Sequence, residues 1–153
     1  MTRATADADL IKLYSTQILA LASDIPHLGR LDAPQGSVNE RAPVCGSTVT
    51  VDLVVQDSRI SAFAQDVKAC ALGQASAAVI GRHIVGCSLT QVSAARSQLA
   101  AMLEGADAVP DAPFQELEVL KAAVTFRNRH ASILLAITAT EKAMKQALEH
   151  SAA

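Results

Sequence analysis

Cys45 and Cys70 carry the most chemistry this sequence offers, and they stand twenty-five positions apart. Between them run Thr48 to Gln56, a break at Asp57-Ser58, and Arg59 to Val67, which together read as a β-hairpin with a cysteine at the foot of each strand. A two-residue turn at 57 and 58 pairs residues whose numbers sum to 115, so that Gln56 faces Arg59, Val51 faces Ala64 and Cys45 faces Cys70. Two reduced thiols held together in this way suit soft-metal ligation. His130 is the third candidate, because it opens the last long helix of the chain. If that helix packs over the hairpin, Cys45, Cys70 and His130 form a three-ligand site for Zn or an iron–sulfur species, with one position open.

The elements that must position these groups follow from the apolar spacing. In the hairpin, Val49, Val51, Leu53 and Val55 share a face with Ile60, Ala62 and Ala64, while Thr50, Asp52, Ser61 and Gln65 take the other. Asp-Ser is a weaker turn signal than Asn-Gly, and a longer loop would slip the register by one. Residues 7 to 22 show the stripe of an amphipathic helix through Leu10, Ile11, Tyr14, Ile18 and Leu21. The stretch from His27 to Arg41 is a loop with an edge strand near Ser37 to Arg41. Ala71 to Ile80 makes a small-residue helix ending at Gly81, with Cys70 at its N-terminus, where the dipole favours a thiolate. Ser88-Leu-Thr-Gln91 is a capping box opening a helix that Gly105 closes. A short helix from Phe114 to Ala123 and a long one from Arg127 to about Glu149 complete the chain. The result is an α+β fold, a small antiparallel sheet packed by about five helices, in a single domain spanning 1–153.

Composition narrows the class further. Half the residues are apolar, the net charge is only −2, and aromatic residues make up 3 %, so stacking platforms and phosphate-tracking basic runs are both missing. No nucleic-acid partner is expected. No stretch approaches a membrane span and no signal peptide opens the chain, so a cytoplasmic protein without membrane contact is expected. Three cysteines, an odd count, read better as working or buried thiols than as a disulfide framework.

Three segments carry a family likeness. Ala42-Pro43-Val44-Cys45-Gly46, Lys68-Ala69-Cys70-Ala71-Leu72-Gly73-Gln74-Ala75-Ser76 and Arg129-His130-Ala131 resemble, in order and spacing, the three ligand motifs of the U-type iron–sulfur cluster scaffold family. Leu28-Gly29-Arg30-Leu31 and Val85-Gly86 agree with it, so the likeness covers roughly residues 10 to 148. The resemblance implies a scaffold that takes sulfur from a cysteine desulfurase, collects iron, assembles a [2Fe–2S] cluster and passes it to apo-protein acceptors. Gln74-Ala75-Ser76 is closer to the branch of the sulfur-mobilisation system, which binds zinc and accepts sulfur. Two positions depart from the family: Ser47 stands where an aspartate follows Cys-Gly, and Ala131 where a third cysteine is expected beside His130. Cys87 lies in a connector from which only a departure from the family fold would carry it to the site.

The function expected is that of a non-enzymatic assembly scaffold holding a metal or nascent cluster through Cys45, Cys70 and His130. Other readings stay open beside it. The chain could be a degenerate homologue that has kept only its docking surfaces, or a thiol enzyme with Cys70 as nucleophile and His130 as base. The two cysteines could also be small packed residues or a reversible disulfide.

Overall fold

A computed structural model of the chain describes residues 14–152. In order, the elements are α1 (Thr16–Ala22), β1 (Gly36–Arg41), β2 (Thr48–Gln56), β3 (Arg59–Lys68), α2 (Ala71–His83), α3 (Leu89–Leu103), 3-10 segments at Gln115–Ala123 and Arg127–Arg129, and α4 (His130–Ala152). The strands form one antiparallel sheet in the order β1-β2-β3. Helix α4 lies across β1 and β2, α2 and α3 flank α4, and α1 packs on α2. This is the α+β layering expected from the sequence, with the core between the sheet and the helices.

Several local signals are realised as their chemistry dictates. Ser88 and Gln91 make the reciprocal capping box at the start of α3, and Gly105, at φ +99°, follows its end. Helix α1, the first among the described residues, begins at Thr16 with the Ser15 hydroxyl accepting from the Ile18 amide; positions 7 to 13 of the expected helix lie outside the described residues. Phe114, Leu117, Leu120 and Ala123 are all buried at intervals of three, a repeat that suits three residues per turn, and the segment is 3-10 rather than α-helical. Gly81 does not end α2, which continues to His83. A Cβ at Gly81 would stand 2.7 Å from Gln65 Nε2 and 2.8 Å from Pro26 Cγ, so this glycine serves close packing.

The hairpin register differs from expectation beyond its tip. Gln56 pairs with Arg59 and Val55 with Ile60, but a bulge at Val54/Val55 then shifts the ladder, so Leu53 pairs with Phe63, Val51 with Gln65 and Thr48 with Lys68. Ser61 is the extra residue, and its hydroxyl donates to the Val54 carbonyl at 3.2 Å. The gain is apolar burial: the shift exchanges Ala62 and Ala64 for Phe63 and Val67 on the face of Val49, Val51 and Leu53. It also carries Gln65 into the core, where Nε2 donates to the Pro26 and Ala77 carbonyls, both at 3.1 Å.

The turn itself is strained. Asp57 and Ser58 have φ of 54° and 64°, the two left-handed positions of a type I′ turn, without glycine at either. Ser58→Gly relieves a steric cost of about 1–2 kcal/mol and adds about 0.5–1 kcal/mol of unfolded-state entropy. The variant should gain about 0.5–1 kcal/mol and melt about 2 °C higher in a calorimetric scan.

Candidate functional site

The loop 42–47 joins β1 to β2 and is closed by two backbone hydrogen bonds, Ala42 N–H to Ser47 O at 2.8 Å and Gly46 N–H to Ala42 O at 3.0 Å. Gly46, at φ +72°, provides the left-handed turn that brings Ser47 back under Cys45. Because Arg41 pairs with Thr48 and Thr48 with Lys68, this loop and the start of α2 share one end of the sheet. Cys45 is exposed on the loop, and Cys70 is the N-cap residue of α2, half-buried and without a side-chain cap bond. The two cysteines therefore meet at one end of the sheet as loop and cap residues, outside the strand pairing expected for them.

Two hydroxyls connect them. The Cys45 thiol donates to Ser47 Oγ at 3.1 Å, Ser132 Oγ donates to Ser47 Oγ at 3.2 Å, and Cys70 Sγ lies 3.4 Å from Ser132 Oγ. Ser47 and Ser132 are 6 % and 1 % exposed, so the chain of contacts runs beneath the surface that Cys45 overlooks. Hydrogen bonds to the thiolate, from the Ser47 hydroxyl first and the Ser47 amide next, hold the Cys45 pKa below its ordinary value against the opposing effect of burial, and the Ser132 hydroxyl adds a smaller contribution. Ser132 reaches this position because Gly73 leaves room for it: a Cβ there would stand 2.6 Å from Ser132 Oγ. One turn later on α2, Ser76 donates to the Ile133 carbonyl at 2.7 Å and fixes how α2 and α4 lie against each other.

His130 opens α4 as expected, but its ring has other partners. Nε2 bonds the Ala123 carbonyl at 2.9 Å, which makes Nε2 the protonated nitrogen, and Nδ1 is 4.0 Å from Glu104 Oε1. Ala131 is exposed, and Ser132 is the residue of α4 that reaches the thiols. Among the described residues no group of three or more His, Cys, Asp or Glu side chains is placed to hold a metal ion. Cys87 is remote from the site. Its carbonyl accepts from Ile60 at the turn end of β3, a strand of ten residues and about 30 Å, while its thiol donates to the His83 carbonyl. Burial raises the Cys87 pKa, against a smaller opposing pull from Arg59.

Ser132 is the site residue that composition and spacing do not reveal. A serine in the apolar stripe of a helix has no functional signature; the available hint is that Gly73, three positions after Cys70, is the small partner a buried hydroxyl needs.

The geometry agrees with the comparisons to known proteins. The family model described as the NifU-like N terminal domain matches residues 13–146. The crystal structure of a nitrogen-fixing NifU-like protein (N-terminal) from Brucella abortus superposes with a TM-score of 0.89 at 33 % identity, covering 92 % of this chain and 98 % of that one. Two more distant crystal structures share the fold with TM-scores of 0.78, each over 88 % of this chain and 98 % of its own. One is a hypothetical protein at 22 % identity, and the other, at 18 %, is described as an iron–sulfur cluster assembly scaffold for the SUF system of Fervidobacterium islandicum AW-1. None of the curated proteins matches the sequence. With its sheet, its helices and both cysteine-bearing segments inside the matched region, the chain belongs to the NifU-like N-terminal domain family.

Proposed function

We propose that this protein is an iron–sulfur cluster assembly scaffold that holds a metal ion or nascent cluster as cargo through reduced Cys45 and Cys70, and that it is not itself an enzyme. The observation that carries the reading is the convergence of these thiols at one end of the sheet, joined through Ser47 and Ser132, in a chain of this family. Exposure supports it. Val44 is 77 % exposed beside Cys45, so the thiol sits at a tip that a sulfur-donating desulfurase or an apo-protein acceptor can reach. His130 serves as a further ligand only after its ring leaves the Ala123 carbonyl. The donor set suits one tetrahedral ion better than a [2Fe–2S] cluster, which takes three or four thiolates.

A second reading, a degenerate homologue that docks partners without carrying metal, draws on Ala131, which offers no donor where a third thiol is expected. Metal analysis of protein purified without chelator separates the two. Stoichiometric zinc or iron in the wild type, lost in both Cys45→Ala and Cys70→Ala, supports the cargo site. Metal-free wild type that loses no stability in those variants sinks it and leaves the docking module.

A further inference from the structure

We propose that the groove between the end of α3 and the 3-10 segment Gln115–Ala123 is a binding site for a free α-amino acid with an apolar side chain. The groove shares no residue with the cysteine site, and the proposal stands independently of the scaffold reading.

Shape is the first argument. The groove has a volume of about 440 Å3, in the range of small-ligand sites, and is lined by Met102, Gly105, Ala106, Asp107, Lys121 and Val124. Local structure creates it. At the end of α3 the Gly105 amide donates to the Met102 carbonyl at 3.0 Å and the Ala106 amide to the Ala101 carbonyl at 2.9 Å, a helix ending that turns the chain sharply and carries Ala106 and Asp107 into one wall. Gly105 and Ala106 are too small to fill the space beside them. Met102 is 1 % exposed and Val124 is half-buried, so the floor is apolar.

Charge is the second argument, and it selects the ligand. Asp107 stands on the α3 wall and Lys121 on the opposite one. Among the described residues Asp107 makes no ion pair, and the carboxylate beside Lys121 is that of Glu118 at 3.9 Å, an exposed pair that water largely screens. The negative end of the α3 dipole adds to the attraction of Asp107 for a cation. A lone anion at Lys121 would face Asp107 and that dipole, and a lone cation at Asp107 would face Lys121. Only a molecule that carries both charges a few bonds apart is complementary to both walls. An α-amino acid does so: its ammonium donates to Asp107, its carboxylate accepts from Lys121, and its side chain covers Met102 and Val124 and displaces water from the apolar floor.

Titration of the 15N-labelled full chain with L-leucine as the probe tests this. Saturable shifts are expected in the amides of Gly105, Ala106, Asp107, Lys121 and Val124, and in the His130 ring, whose Nε2 bonds the Ala123 carbonyl next to Val124. Asp107→Asn and Lys121→Gln should each weaken binding at least about tenfold, the worth of a hydrogen bond to a charged group. Neither side chain is buried, so both variants should keep the wild-type melting temperature. N-acetyl-leucine and leucinamide, each lacking one charge, should weaken to the same degree, while Glu118→Gln, which releases Lys121, should bind at least as tightly as the wild type. Absence of saturable shifts in the wild type, shifts confined to other residues, or equal affinity across the variants and analogues would overturn the proposal. Leucinamide binding as tightly as leucine would overturn it too, by showing a site for a cation alone.

Discussion

Gly36→Ala is expected to destabilise the protein by about 3 kcal/mol or more, at the upper end of what overpacking costs. Gly36 begins β1 and pairs with Leu53, and α4 crosses so close above it that a Cβ would stand 1.9 Å from the Ala143 carbonyl oxygen and 2.8 Å from its carbon. The obstructing atoms are backbone, so no rotamer change relieves the contact. Either β1 must leave β2 at this end or α4 must lift, and α4 cannot lift freely because it also packs on β2, α2 and α3. Ser37, next in the strand, donates its amide to Gln146 Oε1 at 3.1 Å, and this bond would stretch in either case. With total stabilities of about 5–15 kcal/mol in domains of this kind, such a loss is a large fraction of the whole. Urea unfolding followed by circular dichroism measures it; a midpoint within error of the wild type would show that β1 and α4 are not seated as described.

Asp52→Ala should cost about 2–3 kcal/mol at neutral pH, and the gap to the wild type should close as the solution is acidified. The Asp52 carboxylate is fully buried on the sheet face away from the helices, where it accepts from Arg30 Nε at 2.7 Å, Arg30 Nη2 at 3.2 Å, Ser37 Oγ at 2.6 Å and the Leu31 amide at 3.1 Å. Burial alone would raise its pKa, but the hydrogen bonds from Arg30, Ser37 and Leu31 outweigh that and hold it below the ordinary carboxylate value. The sign follows by linkage. A folded-state pKa below the unfolded one contributes stability that is complete above the unfolded pKa of about 3.9 and disappears as the pH falls through the folded value. The Arg30 side chain is 58 % exposed and rehydrates when its partner is removed, which keeps the cost below that of a fully buried pair. Denaturation curves from pH 7 to pH 2 check this: a constant difference between variant and wild type would place the stabilisation in packing rather than in the carboxylate.

Asp52 also shows where legibility stops. Alternation along β2 correctly separates it from Val51 and Leu53, and two-state logic then assigns it to water. What buries it is the loop at Arg30 and Leu31, 22 and 21 residues upstream, and no periodic pattern encodes a loop folding over the outer face of a sheet. Gln65 fails for a different reason. A uniform register puts it on the face opposite Val49, Val51 and Leu53, whereas the bulge at Val54/Val55 reverses every residue of β3 beyond it. A bulge is chosen by competition between two packings of one face, here alanines against Phe63 and Val67, and that competition needs the opposing helices to be decided.

The α+β class, the N-cap of α3, the edge strand, the apolar stripe of α4 and the gathering of Cys45 and Cys70 at one end of the sheet can all be read from residue order alone. These follow from local periodicity, capping chemistry and short connections, all of which act between near neighbours. What stands between the thiols depends instead on how distant elements pack. His130 has the motif position but spends its ring on the Ala123 carbonyl, while Ser132, two residues later, reaches the site because α4 crosses α2 at Gly73. Which of two side chains so close on a helix faces a given point depends on the helix's rotation about its axis, and that is set by packing against α2, α3 and the sheet, beyond the reach of any local signal.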